Sequence, residues 1–114
     1  MRGYSMLATQ IDKKKDVFLN IDGFPVIINY SLHSLKRAKL RGVYLNSIVD
    51  MIKNGFDYIL DLRAGERFIL ISEDYRISLI GCMHTAGSDI VIDIITTIDS
   101  DQPTNYKGTK VFYI

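Results

Sequence analysis

The period of apolar and polar positions changes twice along the chain. Val17-Phe-Leu-Asn-Ile21 has the residue types of a strand, and Asp22-Gly23 after it signals a tight turn, because glycine accepts the positive φ such turns need. The return strand runs from Val26 to Tyr30, with Pro25 at its start, where no ladder donor is required. At Ser31 the period lengthens. Leu32, Leu35 and Ala38 recur at helical spacing, Ser31 can cap the first turn, and Gly42 can take the left-handed turn that ends a helix, so residues 31–41 are predicted helical. A second helix over 45–53 follows from the stripe Leu45, Ile48, Val49 and Ile52, and Asn54-Gly55 ends it. Joined only by Gly42-Val43-Tyr44, the two helices are expected to pack as a hairpin.

From Phe56 the period shortens to two. Tyr58, Leu60 and Leu62 alternate with Asp57, Ile59 and Asp61, and Ala64-Gly65 turns the chain. Strands are predicted at Arg67 to Ser72 and at Arg76 to Met83 around a Glu73-Asp74-Tyr75 turn, with His84 to Ser88 as a loop. Ile90 to Ile98 is the longest β-branched run and reads as a central strand. A polar loop over 99–108 leads to a last edge strand, Val111 to Ile114. The predicted class is α+β: an N-terminal β-hairpin and two short helices packed on an antiparallel sheet of roughly four to five strands, whose other side is an open, wet surface.

A length of 114 residues fits one domain over 1–114, with residues 1–16 as a flexible polar lead and 30–98 as the core unit. The composition, 47% apolar and 24% charged, is that of a globular protein. No apolar run approaches the roughly 20 residues of a membrane span, and no secretory leader is evident. Cys82 is the single cysteine, which excludes an internal disulfide and fits a reducing, cytoplasmic setting. The net charge of +1 is uninformative, but its distribution is not. Lys36, Arg37, Lys39 and Arg41 crowd into the first helix, while Asp89, Asp93, Asp99 and Asp101 fall late in the chain.

His33, Arg37 and Arg41 recur at i, i+4 and i+8, so they share one helix face, with Lys36 beside them. Like charges so placed repel, and no acidic residue answers them between Ser31 and Asn46. The stack asks for an anionic partner, with phosphate foremost; the plainer reading is a solvated helix face. Lys13-Lys14-Lys15 reads as a solvated turn. His84 is a second proton-transfer candidate. Cys82 and His84, only two apart, make no recognisable zinc spacing, and neither a metal site nor a cofactor is expected. Asp93, amid aliphatic residues, must be paired if it faces the core, or can answer Arg37 or Arg67 from the open side. Arg67 and Arg76, with Tyr58 and Tyr75, are the basic and aromatic types that contact phosphate and stack bases.

Tyr30-Ser31-x-His33-x-x-x-Arg37-Ala38-x-x-Arg41, followed by a second short helix, resembles the phage RegB-type endoribonucleases. More widely it resembles the small toxins of the barnase–EndoU–colicin–RelE (BECR) group. The resemblance implies metal-independent cleavage of single-stranded RNA, in which the 2′-hydroxyl attacks the neighbouring phosphate to leave a 2′,3′-cyclic end. His33 and Arg37 match the family's functional histidine and arginine, as general base and as holder of the phosphate, and Arg41 would position the backbone. Thr96 or Thr97 would present a hydroxyl from a core strand. Lys53 stands where the family has a second functional histidine. A lysine is too basic to accept a proton readily at neutral pH, so Lys53 is read with Lys36, Arg41 and Arg67 as an RNA contact, and His84 as the replacement acid. The alternative is a non-catalytic module of the same fold that binds RNA or an acidic protein, such as a phage factor or one half of a toxin–antitoxin pair, with an antitoxin or host protein as partner.

Overall fold

The computed structural model describes residues 15–30, 32–40, 42–98, 100 and 108–114, with Lys15, Leu32 and His33 described by their backbone alone. Asp22 and Gly23 have φ of 51° and 87°, the left-handed pair of a two-residue hairpin whose twist matches its strands. They join β1 (Lys15–Ile21) to β2 (Phe24–Tyr30), and Asn20 Oδ1 accepts the Gly23 N–H at 3.1 Å. Helix α1 (Leu32–Leu40) follows, and Gly42 ends it at φ 74°. There the N–H groups of Gly42 and Val43 bond back to the carbonyls of Lys39 and Ala38, so two carbonyls at the helix end are satisfied. Helix α2 (Leu45–Asn54) buries Ile48, Met51 and Ile52. The predicted cap Ser31 lies outside the described residues.

Residues 56–62 correct the strand reading. Phe56–Leu60 is a third helix, α3, which buries Phe56 and Ile59. In so short a segment the two periods compete: Phe56 and Ile59, three apart, decide it, and the alternation of Tyr58, Leu60 and Leu62 is incidental. Gly55 allows α2 to run on into α3 at close quarters, since a Cβ there would lie 2.8 Å from Leu70 Cδ2.

The remaining strands are β3 (Arg67–Ser72), β4 (Ile77–Ala86), β5 (Asp89–Ile98) and β6 (Lys110–Tyr113). All six strands form one sheet in the order β1-β2-β5-β4-β3-β6. β5 is interior and β6 is an edge, as the β-branched run and the C-terminal pattern predict. The sheet is mixed, however: β2 pairs with β5, and β3 with β6, in parallel. This replaces the smaller antiparallel sheet expected from the alternation, because a period of two marks strands but carries neither their order nor their direction. His84, expected in a loop, lies within β4. Its strand continues to Ala86 with polar side chains because one face there is uncovered.

The helices cover one face. Ala38, Ile48, Met51, Ile52, Phe56 and Ile59 pack on Val26, Ile28, Phe68, Leu70, Leu79, Ile92 and Ile94 in a single core. On the other face, near β6, a smaller cluster gathers Ile69, Ile71 and Ile80 with Ile98 and Val111. Ser78 Oγ donates to the Ser100 carbonyl at 2.6 Å. Ser100 lies two residues beyond the end of β5. Toward β1 no described element covers that face, and Phe18 there is exposed. No helix among the described residues is long and apolar enough to cross a membrane.

Candidate functional site

Three strands each place a polar residue on one stretch of the open face: Asn29 in β2, Asp93 in β5 and His84 in β4. Strand register brings them together. Asn29 lies opposite Asp93, and Asp93 opposite Cys82. His84, two residues beyond Cys82 on the same face, reaches diagonally back to Asp93. Asp93 Oδ2 is 2.6 Å from His84 Nε2, and Asp93 Oδ1 accepts Asn29 Nδ2 at 2.9 Å. The Asp93 carboxylate is therefore held from both sides, on the face away from the helices.

The chemistry follows from donor and acceptor types. An ionised carboxylate only accepts, so the hydrogen of neutral His84 resides on Nε2, and Nδ1 keeps its lone pair for a substrate. The carboxylate orients the ring and stabilises the imidazolium that forms on proton uptake. Asn29 fixes the carboxylate in turn. The His84 and Asp93 side chains are 41% and 37% exposed, so a substrate can reach them without any rearrangement of the core. Arg67 continues the same cross-strand row beyond Cys82. With strands about 4.8 Å apart, its exposed guanidinium begins roughly 10 Å from Asp93, within range of an anion bound over the row. The adjoining row runs Phe18, Ile27, Val91, His84 and is apolar up to the imidazole.

The predicted site residues divide between two layers. His84 and Arg67 fall together on the open face. Thr96 is on that face too, opposite Ile80, but a bulge between Ile80 and Gly81 separates it from the Asp93 row. Its hydroxyl turns to the Thr97 carbonyl at 3.5 Å, longer than a firm hydrogen bond. Thr97, opposite Leu79, is buried on the helix side. Lys36 and Arg37 are exposed on α1 and Lys53 on α2, in the helix layer. His33 falls in the first turn of α1, and both its side chain and Arg41 lie outside the described residues. The helix cations and the His84 centre thus belong to opposite sides of the sheet. Asp93 meets His84 and Asn29, from the open side.

Asn29 is the residue that sequence reasoning missed. Its signal was its parity: in Val-Ile-Ile-Asn-Tyr it takes the polar turn of a two-residue period, as Asp93 does in Val-Ile-Asp-Ile-Ile. Which strand it faces depends on a parallel pairing that parity does not encode. Among the described residues, no group of three or more His, Cys, Asp or Glu could hold a metal ion. A cleft between α1, α2 and β5, lined by Tyr30, Ser34, Leu35, Ile48, Ile94 and Thr97, has room for about one water molecule.

A scan against protein-family models finds none that matches, and searches of curated proteins and of solved structures likewise find no match to this chain.

Proposed function

We propose that the protein is a small metal-independent endoribonuclease acting on single-stranded RNA, with its proton-transfer centre on the open sheet face. The observation that carries this reading is the half-exposed chain Asn29–Asp93–His84. His84 Nδ1 takes the proton of the 2′-hydroxyl as its oxygen attacks phosphorus. The P–O5′ bond breaks, the departing oxygen takes a proton from water, the His84 imidazolium returns its proton to the solvent, and a 2′,3′-cyclic phosphate remains. Arg67 holds the phosphate and offsets charge gathering on its oxygens. Kinship with the BECR group belongs to the same proposal, supported by helices that precede the β3–β5 meander; the β1–β2 hairpin, α3 and the parallel pairs are additions to that plan. Residence in the cytoplasm goes with it.

A second reading is favoured by one observation. Lys36, Arg37 and Lys39 are exposed, and none meets a carboxylate among the described residues. A non-catalytic module would use that helix face to hold RNA or an acidic protein such as an antitoxin or host factor.

The test is incubation with mixed-sequence RNA in excess EDTA, reading the fragment ends. Cyclic-phosphate ends from the wild type and from Arg37→Ala, but not from His84→Gln, are expected. General acid–base catalysis is typically worth about 10²–10⁴-fold, which sets the expected loss in His84→Gln. Loss on Arg37→Ala alone would move the site to the helix layer. Intact RNA that is nevertheless bound would establish the binding module.

A further inference from the structure

Among the described residues, β1 pairs with β2 alone, so no described strand takes up its outer row of N–H and C=O groups. Edge strands are ordinarily blunted by proline, a bulge, an inward-pointing charge or short length. β1 has seven residues, no proline and no register shift, and its helix-side positions are Val17, Leu19 and Ile21, with a charge, Lys15, only at its first position. At its midpoint Phe18 is 72% exposed on the open face. We infer that this edge is an interface for a second copy of the chain, paired antiparallel with β1 about a twofold axis at Phe18.

The occupant follows from the strand's own sequence. Residues directly opposite in an antiparallel pair point to the same face, so a twofold axis must pass through a residue, not between two. Only the axis at Phe18 overlaps all of β1 with its mate. Val17 then faces Leu19 on the helix side. On the open side Phe18 faces Phe18, giving an aromatic pair, and Asp16 faces Asn20. Asn20 Oδ1 is already taken by Gly23, which leaves its Nδ2 to donate to the Asp16 carboxylate of the other copy. No like charges are brought together. Both helix layers fall on one side and both His84 centres on the other. This interface stands independently of the RNA reading.

Register-specific cross-linking tests it. In a Cys82→Ser background, Phe18→Cys brings two thiols directly opposite, with Cβ atoms about 4.5–5.5 Å apart, close to disulfide geometry. Oxidation with copper(II)–phenanthroline at micromolar protein is expected to give covalent dimer about tenfold faster than for Asn20→Cys, since pairing raises the effective thiol concentration. A mixture of Asp16→Cys and Asn20→Cys should cross-link as fast as Phe18→Cys. Phe18→Lys, which opposes two ammonium groups without touching the core, should sediment as a monomer with an unchanged circular-dichroism spectrum. Equal cross-linking of Phe18→Cys and Asn20→Cys would overturn the proposal. So would a monomer mass for the wild type throughout a concentration series, the result expected if RNA or the preceding residues of the same chain cover the edge.

Discussion

Asp93 interrupts a run of isoleucine and valine in an interior strand, where an unanswered carboxylate would be costly. Among the described residues, His84 and Asn29 both answer it. Because both ionisable partners are more than a third exposed, their attraction is screened and contributes little to stability. His84→Gln is therefore expected to change the unfolding free energy by less than about 1 kcal/mol in urea titrations, while the proposed RNA cleavage should be lost. That contrast separates a working histidine from a structural one. Another residue pair titrates in a readable way. Tyr75 donates its hydroxyl hydrogen to Asp50 Oδ2 at 2.6 Å, and this bond, with a lesser effect of burial, holds the phenol above its usual value of 10.0. A raised folded-state value means the contribution is present below the unfolded value and is lost as pH climbs through the folded one. Asp50→Asn should bring the tyrosinate absorbance midpoint of Tyr75 down, and its stability deficit against the wild type should vanish on the alkaline side of that titration.

Among the elements, β4 owes its position to Gly81. A Cβ there would lie 2.7 Å from Phe68 Cζ and 3.1 Å from the Asp93 carbonyl oxygen. Gly81→Ala must push apart β3 and β5, the strand that carries Asp93, and a cost of about 1–3 kcal/mol is expected by chemical denaturation. Loss of RNA cleavage should accompany it, because the His84–Asp93 geometry depends on that spacing. At α1, Gly42→Ala meets no steric neighbour but keeps φ 74°, so a smaller loss of about 1 kcal/mol is expected. The hairpin turn, both main helices and the edge position of β6 were legible because each rests on residues a few positions apart: Asp22-Gly23, the Leu45–Ile52 stripe, Gly42. α3 was not, because five residues satisfy either period.

At the scale of the whole molecule, the two helices and the interior place of β5 follow from the apolar pattern, whereas strand order does not. Asn29 and Asp93 are neighbours only because β2 lies parallel to β5, and no local signal in either strand records that choice. The same gap explains why the candidate site was only partly visible. His84 and Arg67 could be picked out by residue type, and Asp93 by its misplaced charge. Their assembly across β2, β5, β4 and β3 required the register. Conversely, the histidine–arginine stack of α1 is legible from spacing alone, yet the fold sets Arg37 in the helix layer, across the sheet from His84.

The parallel seam between β2 and β5 also has a temporal meaning. β3, β4 and β5 are consecutive antiparallel neighbours, so they can nucleate by short-range closure, whereas β2 must wait for a strand made much later in the chain. Asn29 reaches Asp93 only when that seam zips. The candidate centre would then be completed in the last ordering step, after the transition state. In a kinetic mutant series Leu79→Ala should slow refolding, whereas Ile28→Val should leave the refolding rate nearly unchanged and accelerate unfolding. A chain caught before that step would have its meander and its imidazole in place, yet lack the amide that holds the carboxylate.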